Sequence, residues 1–334
     1  MAYTKHVKIL LVFALIICGF HAQAHTRSSI GSESADFQEF LHVKIKPLAR
    51  ESGISNETLS RAFDTVHSHD VRVIKLDQSQ PEKWVAFEKY ESKRIPPRIR
   101  TARRETKRYR RVLDTVQARY GVSKAFILAL WGLESNFGTH MGNFDVIRSL
   151  ATLAFHGRRQ VLFTNELIEA LKILQEGRDK IKSLKGSWAG ALGQCQFMPS
   201  AFNAHAVDSQ NKGLKDIWAN PEDVFNSIAN YLVNSGWKSD EPWGVEVTLP
   251  RNFSKKRHAN IHLEKSRRHW ERLGIKSKDP KKRLANLPGA LIIPDNKDRA
   301  FIVYNNFKVI LKWNRSICFA LTVCLFADQI SQEK

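Results

Sequence analysis

The sequence predicts an α+β protein that is mainly helical, with a small β-rich elaboration near the C-terminus. Three observations carry this prediction. Apolar residues recur at helical spacing through most of the chain up to Trp243. The period then shortens to that of strands in GVEVTLP, ALIIPD and AFIVYN, each bounded by Pro, Gly or Asn. Helical spacing returns in FKVILKWNRSICFALTVCLFADQI. A chain of 334 residues is long enough to bury a substantial core.

The elements follow in order. Residues 1–24 have the layout of a secretory leader, with Lys5 and Lys8 ahead of ILLVFALIICGF and AQA marking cleavage after Ala24. The apolar run is short for a membrane span. Ile17 stands before Cys18 where lipid attachment wants a small residue, so lipidation is not expected. Helices are expected over 36–66, with Gly53 as a break and Asn56 as an N-cap. DQSQPE reads as a turn-rich connection to an aromatic-basic helix at 84–94, which Pro96-Pro97 should end. A long basic helix over 101–120 should stop at Gly121. The next runs from Lys124 to Ser135, with Asn136 and Gly138 as stop signals. Further helices are expected at 145–156, 159–176, 199–206 and 221–235. The resulting organisation is a leader at 1–24, a helical body at 25–243, a β-rich subdomain at 244–304 and a C-terminal helix at 305–334 returning to the body.

The formal charge of +20, from 53 basic and 33 acidic residues, falls to +18 when Lys5 and Lys8 leave with the leader. It concentrates in KRIPPRIRTARRETKRYRR (93–111) and over 255–283. Such a balance implies a polyanionic partner. Export argues against nucleic acid and for an acidic polymer outside the cytoplasm, such as cell wall bearing peptide carboxylates. Peripheral contact with wall or membrane fits the same charge, and the sequence names no protein partner. Cys195, Cys318 and Cys324 remain after cleavage, an odd number that excludes a closed disulfide framework. Cys318 and Cys324 lie in an apolar stretch, where a bridge is open to them but core packing is the expected role.

In LWGLESNFGTH (130–140), Glu134 lies four residues after Leu130 and seven after Ile127, on the apolar side of its helix. A carboxylate there is expensive unless it is paired or carries function. Apolar neighbours and the negative end of the helix dipole both raise a carboxyl pKa, which suits a proton donor.

WGLESNFG, SLATLAFHGRR, LKGSWAGALGQCQFMPSAF, IANYL and NFKVILKWNRS, in this order, resemble the lytic murein transglycosylase B family, glycoside hydrolase family 103. The resemblance extends over residues 36–330. It implies a lysozyme-like helical catalytic core that cuts peptidoglycan between N-acetylmuramic acid (MurNAc) and N-acetylglucosamine (GlcNAc), with Glu134 as the one residue that moves protons. Most glycosidases need two carboxylates. A transglycosylase needs one, because the substrate's own C6 hydroxyl attacks and leaves a 1,6-anhydromuramoyl end. The resemblance also implies that Ser187 and Gln196 hold the sugar, and that Arg158 and Arg159 face glycan or stem peptide. Glycines at 186, 190 and 193 permit close approach to backbone. Cys195 reads as packing, with no histidine partner in its motif. Tyr90, Tyr231 and Trp313 are candidates for stacking on sugar rings, with core packing as the alternative.

The resemblance implies a calcium-loop-like segment, which many members carry, where this chain reads Asp208-Ser-Gln-Asn-Lys-Gly-Leu-Lys-Asp216. Gln210 and Lys212 stand in place of carboxylates, and an ammonium group cannot coordinate a cation. No metal and no cofactor is therefore expected, with Lys212 supplying the ion's charge. Two other readings compete. A hydrolytic muramidase on the same scaffold would need a second carboxylate, and Asp145 is the nearest acid after Glu134. A non-catalytic wall-binding protein would have no need of Glu134.

Overall fold

The computed structural model describes residues 33–79, 86–156, 158–177, 184–296 and 299–332. The leader with Cys18 and Ala24, positions 84–85 of the expected aromatic-basic helix, and Gly157 lie outside them.

Helix α1 covers 33–51 and widens to a π turn at Leu41–Ile45. Its sequence gives the reason. Phe37, Leu41, Ile45 and Ala49 are all buried, so the core-facing stripe repeats every fourth residue. At 3.6 residues per turn such a stripe drifts around the helix, and local unwinding holds it on one side. Helix α2 spans Asn56–Phe63, and its cap is Ser55 rather than the expected Asn56. Ser55 has extended backbone and its Oγ accepts from Thr58 N at 3.2 Å, while Asn56 is already helical. Helix α3, Val71–Ser79, runs through residues without an expected element and three residues into the stretch expected as a turn-rich connection, DQSQPE. Asp70 accepts from Arg72 N at 3.0 Å at its start, and Asp77 is drawn inward as a buried carboxylate.

Helix α4 spans Phe87–Arg94 and α5 spans Pro96–Arg108. The proline pair opens α5 at positions where no intrahelical N–H is needed, and does not merely end α4. The expected single basic helix is two, because α6 starts at Arg110 after a break at Tyr109 (φ −105°, ψ 20°). The break turns the Tyr109 ring onto Trp131 and Phe225, with centroids at 5.9 and 5.4 Å. Helix α6 runs to Tyr120 and α7 from Lys124 to Ser135. Then follow β1 (Phe144–Asp145), α8 (Val146–His156), α9 (Gln160–Glu176), β2 (Lys185–Gly186), α10 (Pro199–His205) and α11 (Pro221–Asn234).

Helix α7 is the centre of the body. Every residue from Ala125 to Ser135 is buried except Glu134. Gly132 makes this possible, since a Cβ there would meet the Phe137 ring at 2.7 Å and the Phe326 ring at 3.1 Å.

The β-rich region contains β3 (Gly244–Thr248), α12 (Lys255–His258), β4 (Glu264–Lys265), α13 (Arg267–Arg272), β5 (Lys276–Ser277), β6 (Gly289–Ile292) and β7 (Ala300–Val303). The strands form one antiparallel sheet in the order β4-β6-β7-β3-β5. Side chains alternate across it. Val245, Val247, Leu291 and Ile302 face a separate core around Trp270, while Ala290, Ile292, Phe301 and Val303 belong to the core of the helical body. Arg299 ties sheet to body. It pairs with Glu91 of α4 and, at 2.9 Å, with Glu246 of β3, and its guanidinium lies 5.2 Å from the Phe87 and Phe301 ring centres.

The return segment is two helices, α14 (Asn305–Trp313) and α15 (Ile317–Ser331), bent by 119°, where one had been expected. Asn314 makes the corner by accepting from Ser316 N at 3.0 Å, and Ser316 caps α15. Among the described residues no single helix is long and apolar enough to cross a membrane. Cys195, Cys318 and Cys324 are free thiols, and Cys195 and Cys324 are fully buried.

Candidate active site

Helix α7 stops abruptly just after Glu134. Asn136, Phe137 and Gly138 are left-handed in succession, with φ of 49°, 59° and 81°. A phenylalanine in this region costs about 1–2 kcal/mol, and packing offsets it. The Phe137 ring meets Trp131 edge-on at 5.3 Å, and Phe137 N donates to Trp131 O at 3.2 Å. Ser135 stitches the turn, since its Oγ accepts from Gly138 N at 3.0 Å. Backbone strain of this kind concentrates at functional sites.

Trp313 reaches Glu134 from α14. Its Nε1 donates to Glu134 Oε1 at 2.7 Å. The indole sits in an aromatic cluster, 5.2 Å from the Phe197 ring and 4.8 Å from Tyr231. Tyr231 on α11 in turn donates its hydroxyl to Lys312 O at 2.9 Å, which fixes the end of α14. Trp313 is thus a hydrogen-bond donor to the carboxylate, a role beyond the expected stacking, and Tyr231 is its support.

The loop between β2 and α10 closes the site from another side. Strands β1 and β2 pair Phe144 with Gly186. The approach needs Gly142 (φ 82°), where a Cβ would lie 2.2 Å from Gly186 O. Ser187 Oγ accepts from Ala191 N at 3.0 Å, which leaves its hydroxyl hydrogen available to a ligand. Gln196 is left-handed (φ 51°), and its Nε2 donates to Met141 O at 3.1 Å and Gly193 O at 2.8 Å. Both amide hydrogens are used, so Gln196 presents its carbonyl oxygen. Gln194, which the sequence reading passed over, is buried and bridges two elements: Trp131 Nε1 donates to its Oε1 at 2.7 Å and its Nε2 donates to Trp218 O at 2.7 Å. Cys195 is fully buried, and burial followed by the charge of Glu134 pushes its thiol well up. It is a packing residue beside the carboxylate.

The remaining candidates lie otherwise. Arg158 and Arg159 approach the two oxygens of Asp77 at 3.6 Å each, with side chains 68% and 51% exposed. The structure thus joins them to α3. Tyr90 takes the packing alternative: it is only 8% exposed, with Arg94 over its ring at 4.8 Å. Arg98 was hidden in a basic run. It is half-buried and donates to Gly132 O at 2.8 Å, placing a cation at the carbonyl end of α7.

In the 208–216 loop the acids serve backbone. Asp208 Oδ2 accepts from Gly213 N at 2.6 Å, Asp216 Oδ1 accepts from Ala219 N at 2.8 Å, and the buried Asp223 accepts from Ser209 N and Asp216 N. Desolvation works to raise the Asp208 carboxyl, but the backbone N–H groups of Lys212, Gly213, Gln210 and Leu214 hold it below the ordinary range. Millimolar calcium added to metal-stripped protein should leave the melting temperature unchanged; a rise of several degrees, lost in Asp208→Ala, would show a calcium site.

Comparison with known proteins adds the following. Residues 36–328 match the family model described as Transglycosylase SLT domain. The chain is 35% identical over 154 residues to membrane-bound lytic murein transglycosylase B of Escherichia coli, covering 44% of this chain and 42% of that protein, so it spans under half the relative's length. SltB3 of Pseudomonas aeruginosa in complex with NAG-NAM-pentapeptide superposes with a TM-score of 0.83 at 39% identity, over 89% of this chain and 80% of that one. The same protein with NAG-anhNAM-pentapeptide gives 0.82 at 40% identity, with the same coverage.

Proposed function

The chain belongs to the transglycosylase SLT family, of the lytic murein transglycosylase B type, and from that premise we propose that it cleaves the MurNAc–GlcNAc β-1,4 bond of peptidoglycan without water. The observation that carries this reading is one partly exposed carboxylate, Glu134, in the last turn of an otherwise buried helix and hydrogen-bonded by Trp313. Protonated Glu134 gives its proton to the glycosidic oxygen as the bond breaks and positive charge develops on the MurNAc ring. The resulting carboxylate then takes the proton of the MurNAc C6 hydroxyl as that oxygen closes on C1. The proton count balances, and the product is a 1,6-anhydromuramoyl end. Ser187 and Gln196 supply a hydroxyl donor and a carbonyl acceptor to the sugar beside the bond. The exposed Arg158 and Arg159 suit a stem-peptide carboxylate.

A hydrolytic reading is less well supported. Asp145, its candidate second carboxylate, accepts from Arg148 N at 3.0 Å and lies 3.8 Å from Lys185 Nζ, so it caps α8. The leader and the two basic runs fit a periplasmic protein that meets an anionic wall. Mass spectrometry of products from purified sacculi decides the chemistry. Anhydro ends weigh one water less than hydrolytic ends, and reducing MurNAc ends would overturn the proposal.

Trp313→Phe keeps an aromatic ring and removes the donor to Glu134. Turnover on sacculi should fall about tenfold to a hundredfold, the worth of one hydrogen bond to a charged group, while the melting temperature hardly moves. Full turnover would mean that the bond does not orient the carboxylate.

A further inference from the structure

We propose that Glu33, His69 and His156 form a zinc site that fastens the start of α1 to the end of α8. Glu33 opens α1, His69 lies in the connection before α3, and His156 is the last residue of α8. One ligand atom from each lies within 4.8 Å of the other two. His156 Nε2 is already 3.3 Å from Glu33 Oε1. Donors about 2.0–2.2 Å from a tetrahedral zinc stand roughly 3.3–3.5 Å from one another. That pair therefore has the spacing of two zinc ligands, and a small inward movement of His69 completes a set of three.

His69 supplies the second, independent observation. It is 8% exposed, and its Nδ1 is buried with no hydrogen-bond partner among the described residues. A buried imidazole nitrogen without a partner is costly. Aromatic neighbours hold the ring in place, with Phe37 at 6.0 Å, Phe155 at 6.4 Å and His156 at 4.7 Å. The site stays reachable through the side chains of His156 and Glu33, which are 26% and 44% exposed, and a water can take the fourth position. Two imidazoles and one carboxylate suit zinc and exclude calcium and magnesium, which prefer an all-oxygen shell. The plainer alternative, an ion pair between His156 and Glu33, leaves the buried nitrogen of His69 unaccounted for.

The test uses metal-stripped protein and zinc chloride. Isothermal titration should give one zinc per chain with micromolar or tighter affinity, the melting temperature should rise with zinc, and calcium should do neither. Glu33→Gln and His156→Gln lie at the surface and should fold normally. Each should weaken zinc binding by at least about tenfold, and the double variant should abolish it. Cobalt(II) in place of zinc should show the intense visible bands of a four-coordinate centre, absent in the double variant. No binding at submillimolar zinc would overturn the proposal. So would an affinity that the double variant leaves unchanged, since zinc would then sit on others of the 12 histidines.

Discussion

Replacing Glu134 with glutamine should cut the release of anhydro-muropeptides from sacculi by a factor on the order of hundreds or more. The substitution keeps the shape of the side chain and an oxygen able to accept from Trp313 Nε1, now at 2.7 Å from the carboxylate. Only the titrating proton is lost. The neighbours of Glu134 on α7 are buried and unaffected, so the melting temperature should stay within a degree or two. Glu134 serves in both halves of the proposed reaction, first giving a proton and then taking one, so no surviving half-step rescues turnover. A folded variant that keeps most of its activity would show that another group moves the protons.

The second large effect concerns Gln194. Gln194→Ala should destabilise the fold by about 3 kcal/mol, read as a shift of the urea midpoint at constant slope. Both ends of this buried amide are in use: it accepts from the Trp131 indole and donates to Trp218 O, each at 2.7 Å. Truncation strands a buried donor and a part-buried acceptor, the former costing about 1–3 kcal/mol, and adds a small cavity. Because Gln194 ties α7 to the loop carrying Gln196, activity should fall as well, even well below the unfolding transition. An unchanged midpoint would mean that water replaces the amide.

What the sequence revealed depended on the range of the forces involved. The span of α7 was legible because its signals are local: Ser123 caps one end and Asn136 turns left-handed at the other. Glu134 stood out because a charge in an apolar stripe is visible in one dimension. Proline told less, since Pro96-Pro97 is as good a start as a stop, and the structure uses it as a start. Helix α3 was missed because Asp77 looks like a turn residue until Arg158 and Arg159, some 80 positions away, approach it. Tyr90 and Trp313 looked alike as aromatics. Only the corner at Asn314, which swings Trp313 onto a helix 179 positions earlier, separates the donor from the core residue. The pairing of Gln194 with two tryptophans was likewise beyond the reach of spacing arguments.

The register of the sheet has a further consequence. Gly244, where the chain leaves the helical body, pairs directly with Val303, where it returns. The whole excursion therefore enters and exits at one doorway, like a branch grafted onto a trunk, and a short linker could rejoin the cut ends without moving α11 or α14. Yet Ala290, Ile292, Phe301 and Val303 form part of the wall of the helical core. Pruning the branch would strip that wall, so the shortened protein should aggregate despite its intact connectivity. The outward half of the graft packs on its own core around Trp270. It is there that lengthening, shortening or a new binding surface could be tolerated while the catalytic body stays as it is.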